Sequence, residues 1–255
     1  MCGVCGFAGA GDNSDLQAMM GAMIHRGPDA AGHRHYPPAR LYLGHMRLTI
    51  IDLETGHQPM QTSDGRLVVT YNGEIYNYPE LRRELESFGH VFRTHHSDTE
   101  VLLHGYRQWG EDLPVHLNGM WAFAIYDQSS NRLFLSRDRF GKKPIYYTRQ
   151  NGTFAFASEL TALLKHSRVT ASVSQLGLKK YFAYGFIPSP QTIFTGIHKL
   201  PGGHNLVVDM KLHEYRERAY WEFVLEPEES PQDENVLNEQ LHELLKQAVE
   251  RRLIS

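Results

Sequence analysis

MCGVCGFAG, residues 1–9, holds both cysteines of a 255-residue chain within its first five positions. Three chemistries are open to such a Cys-x-x-Cys pair. A thioredoxin-like couple sits where a strand ends and a helix begins, and the chain offers nothing ahead of Cys2 to build that strand. A zinc site takes about four ligands. There is no second cysteine pair, and none of the histidines, His33, His35, His95 and His96 among them, stands at a spacing that completes a site. The third chemistry is a nucleophile at the chain terminus. Methionine is removed when a small residue follows, so loss of Met1 would leave Cys2 with a free α-amine. A terminal amine has a reference pKa of about 8 and a thiol of about 8.5. Base and nucleophile would then share one residue, an activation that needs no histidine. Gly3 and Gly6 would let a substrate and the neighbouring backbone come close. The plain alternative, strongest for Cys5, is a small buried hydrophobe near the terminus.

The rest of the composition narrows the setting. With 41% hydrophobic and 22% charged residues the chain is an ordinary globular one, long enough to bury a real core. A net charge of −3 gives no electrostatic reason to expect nucleic acid or a membrane as partner. No apolar run approaches the ~20 residues that span a bilayer. The N-terminus lacks the basic region and apolar core of a secretion signal, so the mature chain is expected to begin where the gene does, in a reducing cytoplasm.

Strand-like alternation predicts strands at 41–52, 66–71, 120–127, 132–137, 144–149 and 153–157, several joined as hairpins. Between them lie helical signals. Ser14 precedes an apolar face of Leu16, Met19, Met20, Met23 and Ile24. NYPELRRELESFG (77–89) places Pro79 in a first turn and Gly89 at the stop. SDTEVLLHGYRQWG (97–110) reads as a capping box of Ser97 with Glu100. Grouped strands and helices predict antiparallel sheet covered by helices, an α+β fold. EPEESPQDEN (226–235) reads as linker. Leu237, Leu241, Leu244, Leu245, Ala248, Val249 and Leu253 then mark a helix whose wide apolar face has nothing after it to cover it, which predicts a chain cut as a second domain starts.

The target of the thiol is suggested by YNGEIYN (71–77). The Asn72 amide and the Gly73 N–H form the kind of donor pair an oxyanion hole uses. The same dipeptide is also a favoured hairpin turn. Glu74 adds a carboxylate beside the pair. Asp98 adds another in the first turn of a helix, where the helix dipole alone explains it. Arg47 stands in an otherwise apolar strand and needs a partner, and a carboxylate would suit its fork. Glutamine fits the whole inventory: a carboxamide for thiol and donors, a carboxylate for Arg47, an ammonium for Glu74 or Asp98.

These residues, together with MCG, HRGPD (25–29), LGHMRLTIIDL (43–53), GHQPM (56–60), SDTEVLL (97–103), NGMWAFAIYD (118–127) and LSRDRFGKKPIYY (135–147), resemble the glutaminase domain of class II glutamine amidotransferases, and more narrowly glutamine-hydrolysing asparagine synthetases of the bacterial type. The resemblance implies a four-layer α/β/β/α N-terminal-nucleophile hydrolase sandwich of antiparallel sheets. It implies Cys2 as nucleophile after removal of Met1, Asn72 and Gly73 as oxyanion hole, and glutamine held by Arg47, Leu48, Thr49, Ile50 and Ile51, by Asn72, Gly73 and Glu74, and by Asp98. Arg26 of HRGPD is expected to be structural or gating. Cys5 replaces the usual apolar or small residue and is read as packing. Retention of Met1 would remove the proposed base.

The implied domains are residues 2–215 for the glutaminase, 216–235 for a linker, and 236–255 for the first helix of a synthetase domain. YGFIPSPQTIFTGIHKLPGGHNLVV (184–208) resembles the segment that leads toward it. The glutaminase part implies no metal and no cofactor. ATP, Mg²⁺ and aspartate are implied only for the missing domain, which would make asparagine from the released ammonia, and the resemblance allows a homodimer. Two rivals stand beside this reading: an amidotransferase that serves another acceptor, and a non-enzymatic regulatory module, which the presence of Cys2 argues against.

Overall fold

The computed structural model describes residues 1–49, 56–94, 97–211, 214–226 and 233–253. In chain order its strands are β1 (Gly3–Gly9), β2 (Ala30–Tyr36), β3 (Leu41–Arg47), β4 (Met60–Gln61), β5 (Leu67–Ile75), β6 (Gly119–Asp127), β7 (Arg132–Arg137), β8 (Tyr146–Gln150), β9 (Thr153–Ala157), β10 (Ile197–Lys199), β11 (His204–Asp209) and β12 (Glu214–Ala219). Its helices are α1 (Asn13–Gly21), α2 (Tyr78–Ser87), α3 (Asp98–Trp109), α4 (Leu113–His116), α5 (Leu160–Leu163), α6 (Gln175–Tyr184) and α7 (Glu234–Glu250). The strands make two antiparallel sheets, one in the order β10-β8-β9-β1-β3-β2 and the other β12-β11-β7-β6-β5-β4.

Strand alternation sets the layers, because successive side chains point to opposite faces. On β6, Ala122, Ala124 and Tyr126 join Leu41, Leu43, Phe156 and Leu206 in a core between the sheets. The intervening Trp121, Phe123 and Ile125 pack outward with Leu81 and Leu85 of α2 and Val101 and Leu102 of α3. On β1, Cys5 and Phe7 face the other way, against Leu16 and Met19 of α1 and Ala162 and Leu163 of α5. The result is the expected α/β/β/α sandwich. Cys5 is fully buried in that outer layer, and burial pushes its thiol up to about 12, so it is packing.

The structure departs from the sequence reading in several places. β5 runs through Ile75, so Asn72 and Gly73 lie inside a strand and not in a turn. β6 continues opposite them, Ala122 against Asn72 and Trp121 against Gly73, and this cross-strand pairing overrides the local turn preference. β3 ends at Arg47, short of the expected strand, and residues 50–55 lie outside the described residues. α1 is capped by Asp12 with Asp15, with Ser14 already inside the helix. β12 pairs with β11 as far as Ala219, so the sheet runs past the domain end expected at 215 and into the expected linker. α7 begins one residue before that linker was expected to end, and Leu241, Leu244, Leu245 and Val249 are exposed along it.

Ser97 is the N-cap of α3, but its side chain makes no cap bond, so no capping box forms. Glu100 turns back instead. It accepts from the N–H groups of Arg93 at 2.9 Å and Thr94 at 2.8 Å and from the Thr94 hydroxyl at 2.5 Å. Burial alone would raise its pKa. The bonds from His104, Thr94 and Arg93 outweigh burial and hold it at about 2. A carboxyl depressed on folding stabilises above its ordinary value, and that stability is lost as pH falls toward the folded value. Glu100→Gln is therefore expected to lower stability at pH 7 by about 1–3 kcal/mol, with the gap to the native chain narrowing below about pH 4.5. Urea unfolding at stepped pH checks this, and equal stability at pH 7 would contradict it.

Candidate active site

The alternation that builds the core also aims the site. Even-numbered positions of β1 and β5 (Ala8, Val68) and odd-numbered positions of β3 (Leu41, Leu43) face the gap between the sheets. Continued to one end of the sandwich, the same phases point Cys2, Arg47, Asn72 and Glu74 into that gap. The two sheets are tied together just behind this end. The Thr70 hydroxyl donates to the Gly44 carbonyl at 3.2 Å, and His45 Nε2–H donates to the Tyr71 carbonyl at 3.1 Å. Burial lowers His45 to about 4, which keeps it a neutral donor. In front of these ties lies a cavity of about 110 Å³ lined by Cys2, Arg47, Leu48, Asn72, Gly73, Glu74 and Asp98, together with Met1, Gln58, Tyr71, Ser97, Thr99, Met120 and Lys143. Sites for drug-sized ligands measure about 300–1,000 Å³, so this one suits a single amino acid.

Two donors face the cavity. Asn72 is 2% exposed, and its Nδ2 has no hydrogen-bond partner among the described residues. A buried donor left unpaired costs about 1–3 kcal/mol, so one on a residue that lines a cavity points to a ligand acceptor. The second donor follows from strand geometry. β4 pairs with β5 only at Val68 and Val69, which leaves the far end of β5 with an open edge. On that edge the Tyr71 N–H is taken by Gln58 Oε1 at 2.6 Å and the Ile75 N–H by Asp98 Oδ2 at 3.1 Å. Gly73 lies midway and shares their phase, so its N–H points to the same edge, between the two capped groups. Glycine is required here: a Cβ would stand 2.2 Å from the Met120 carbonyl.

The thiol is braced from behind. Cys2 Sγ is partly buried and lies 3.6 Å from the Leu48 carbonyl, to which it donates. Arg26 donates from Nε to the Cys2 carbonyl at 2.9 Å and from Nη1 to Glu159 at 3.0 Å, and Glu159 also meets His25 Nε2 at 3.0 Å. Within the same HRGPD segment, Asp29 accepts from Thr49 N–H at 2.7 Å and donates its own N–H to the Arg47 carbonyl at 3.0 Å. The segment thus positions the terminus and the end of β3.

Asp98 brings in the helix layer. Its Oδ2 accepts from the Tyr71 hydroxyl at 2.9 Å as well as from Ile75. Burial pushes its carboxyl up to about 6; the bonds from Ile75 and Tyr71 pull the other way and Glu74 adds to the rise. Burial and the neighbouring Asp98 also raise Tyr71 well above the ordinary tyrosine value, which keeps its hydroxyl a donor.

The structure therefore gathers Cys2, Arg47, Leu48, Asn72, Gly73, Glu74 and Asp98 around one cavity. Thr49 is not among the residues that line it, and its N–H bonds Asp29; Ile50 and Ile51 lie outside the described residues. Gln58, Tyr71 and Lys143 were not singled out as site residues. Gln58 and Lys143 sit in quoted motifs, GHQPM and RFGKKP, which was the available signal. A wider cleft of about 620 Å³ opens at the other end of the sandwich near Arg40, Asn131 and Arg149, and no cysteine lines it. Among the described residues no group of three or more His, Cys, Asp or Glu could hold a metal ion.

Two antiparallel sheets between helix layers, with a thiol at the second residue opening into the gap between them, define an N-terminal-nucleophile amidotransferase fold. Residues 1–221 match the glutamine amidotransferase domain family, and the chain belongs to that family. It is 38% identical over 268 residues to asparagine synthetase [glutamine-hydrolyzing] 3 of Bacillus subtilis, covering 100% of this chain and 42% of the relative. It is 39% identical over 215 residues to asparagine synthetase [glutamine-hydrolyzing] 1 of the same organism, covering 80% of this chain and 33% of that relative. The chain thus spans less than half the length of these two relatives. The glutamine phosphoribosylpyrophosphate amidotransferase of B. subtilis shares the fold, with a TM-score of 0.61 over 88% of this chain and 50% of its own at 18% identity.

The raised Asp98 carboxyl carries a stability signature. Below its ordinary value both states are protonated and it costs nothing. The cost grows as pH rises from about 4 to about 6 and is constant above that. Asp98→Asn can keep the bonds from Tyr71 and Ile75 through its amide oxygen. It is expected to be more stable than the native chain at pH 7.5, by on the order of 1–3 kcal/mol, with the gain vanishing toward pH 4. Urea unfolding across this range checks it, and a less stable variant at pH 7.5 would contradict it.

Proposed function

We propose that the chain, once Met1 is removed, hydrolyses glutamine to glutamate and ammonia through a thioester on Cys2. The observation that carries the reading is that the Cys2 thiol shares one cavity with Asn72, whose Nδ2 has no partner among the described residues, and with Gly73, whose N–H lies on the open edge of β5. The α-amine of Cys2 takes the thiol proton, directly or through a water, and the thiolate attacks the carboxamide carbon. Charge gathers on the amide oxygen, where the two donors stabilise it. The tetrahedral adduct expels ammonia, with the amine returning the proton, and leaves a γ-glutamyl thioester. Water attacks that carbonyl, the thiol is regenerated and glutamate departs. Arg47 takes the α-carboxylate of glutamine through its fork. Asp98 and Glu74 take the α-ammonium.

In the longer protein, ammonia passes to an activated aspartate to give asparagine, a step that uses ATP and Mg²⁺. The identity to asparagine synthetases supports this acceptor, and no residue described here is assigned to ATP or Mg²⁺. We place this chemistry in the cytoplasm, as for an ordinary biosynthetic step; no described helix is long and apolar enough to cross a membrane.

Glutamate release by the chain with Cys2 as its first residue tests the reading. Cys2→Ala is expected to abolish it, and Asn72→Ala to lower kcat roughly a hundredfold or more while the fold is kept. Release by Cys2→Ala at the native rate would overturn it. Asp98→Asn is expected to raise KM for glutamine on the order of tenfold, with kcat changed less. In the native chain KM is expected to climb as pH falls below about 6, where Asp98 gains its proton. A KM indifferent to both changes would remove Asp98 from the substrate site.

A further inference from the structure

Lys143 is a buried cation at the mouth of this site that the chemistry above does not use. It is 7% exposed and lines the cavity with Cys2 and Glu74. Its place is fixed by Asp138, itself 1% exposed, whose carboxylate accepts the N–H groups of Trp121, Lys142 and Lys143 at 3.2, 2.9 and 2.9 Å. The ammonium donates to the thioether of Met1 at 3.4 Å. Covalent geometry keeps that sulfur within about 6 Å of the Cys2 nitrogen. Lys143 Nζ therefore stands within about 9 Å of the atom that becomes a free amine when Met1 leaves, and the same removal takes away the methionine sulfur it contacts.

We propose that the ammonium of Lys143 keeps the newly exposed α-amine of Cys2 uncharged near neutral pH, and so lets it act as the base for its own thiol. Two like charges close together in a partly dry cavity disfavour the second protonation. At this separation the effect is on the order of one pKa unit at an effective dielectric near 20. The proton balance is simple: an amine that stays neutral accepts the thiol proton, becomes an ammonium beside Lys143, and is driven by that repulsion to return the proton to departing ammonia. Other charged groups face the same space. Burial lowers Lys143 from the ordinary lysine value and Arg26 adds to this, while Glu74 from β5, Asp138 from the loop after β7 and Cys2 pull the other way. Arg47 from β3 and Asp98 from α3 line the cavity as well. When glutamine is bound, its own ammonium engages Glu74 and Asp98, so the carboxylates no longer offset Lys143. Lys143 acts here through the amine and is a positioning residue.

This inference rests on the glutaminase reading for its purpose but is tested apart from it. The chain with Cys2 as first residue, checked by mass and labelled with ¹⁵N-cysteine, is titrated by NMR at the terminal nitrogen. The native amine is expected to titrate about one unit below the ordinary value of about 8. Lys143→Met, which keeps length and apolar bulk, is expected to raise it by about one unit, and Lys143→Arg to leave it low. Lys143→Gln serves in place of the methionine variant if that variant does not fold. The acid limb of kcat/KM for glutamine is expected to move up with the amine in the neutral variants and to return in Lys143→Arg. An amine pKa unchanged between the native chain and a folded neutral variant overturns the inference. Glutamate release that survives Cys2→Ala would overturn the glutaminase reading and leave the amine titration standing.

Discussion

The open edge of β5 beyond Val69 is the constraint on which the site depends. A strand edge presents a row of unpaired N–H groups, usually a liability that a fold covers. Here β4 stops after two residues, and the groups it leaves are capped singly by side chains from elsewhere, Gln58 at Tyr71 and Asp98 at Ile75. Both caps depend on distant parts of the chain. Between these two capped groups lies the N–H of Gly73, in a strand paired along its other side with β6.

Everything else is brought to that point by alternation. Cys2, Arg47, Asn72 and Glu74 share the gap between the sheets because each has the phase of a core residue on its own strand, with the same register that buries Ala8, Leu43 and Val68. A slip of one residue in β1 or β5 would turn the thiol or the amide toward the helices. The ties from Thr70 to Gly44 and from His45 to Tyr71 join the facing sheets immediately behind the cavity. The polar cluster at the site is anchored to the apolar sandwich by main-chain carbonyls.

Much of this was legible from residues alone, though unevenly. Cys2 stood out by position and Arg47 by its charge in an apolar strand, whereas Asn72-Gly73 and Asp98 each had a plain reading, a hairpin turn and a helix dipole, and gained weight only from their joint fit to glutamine. Their placement in strands did not follow. Asn-Gly has a strong local turn preference, and only the long-range partner β6 reverses it. β1 escaped notice because Gly3, Gly6 and Gly9 blank out its alternation, and β2 because its AAGHRHY sequence is largely exposed. The capping box failed because residues 93 and 94, not the N-cap, offered Glu100 the better donors. Gln58 and Lys143 gain their meaning from contacts with Tyr71 and Met1, pairings that no local pattern encodes.

The most direct measurement is a crystal structure of the chain, with Cys2 as first residue, alkylated by a chloroketone analogue of glutamine. The ketone oxygen stands where the amide oxygen of the substrate gathers charge. The account predicts that oxygen within about 2.7–3.1 Å of both Asn72 Nδ2 and Gly73 N. An adduct whose oxygen turns to solvent, with Asn72 Nδ2 and the Gly73 N–H still without partners, would contradict it.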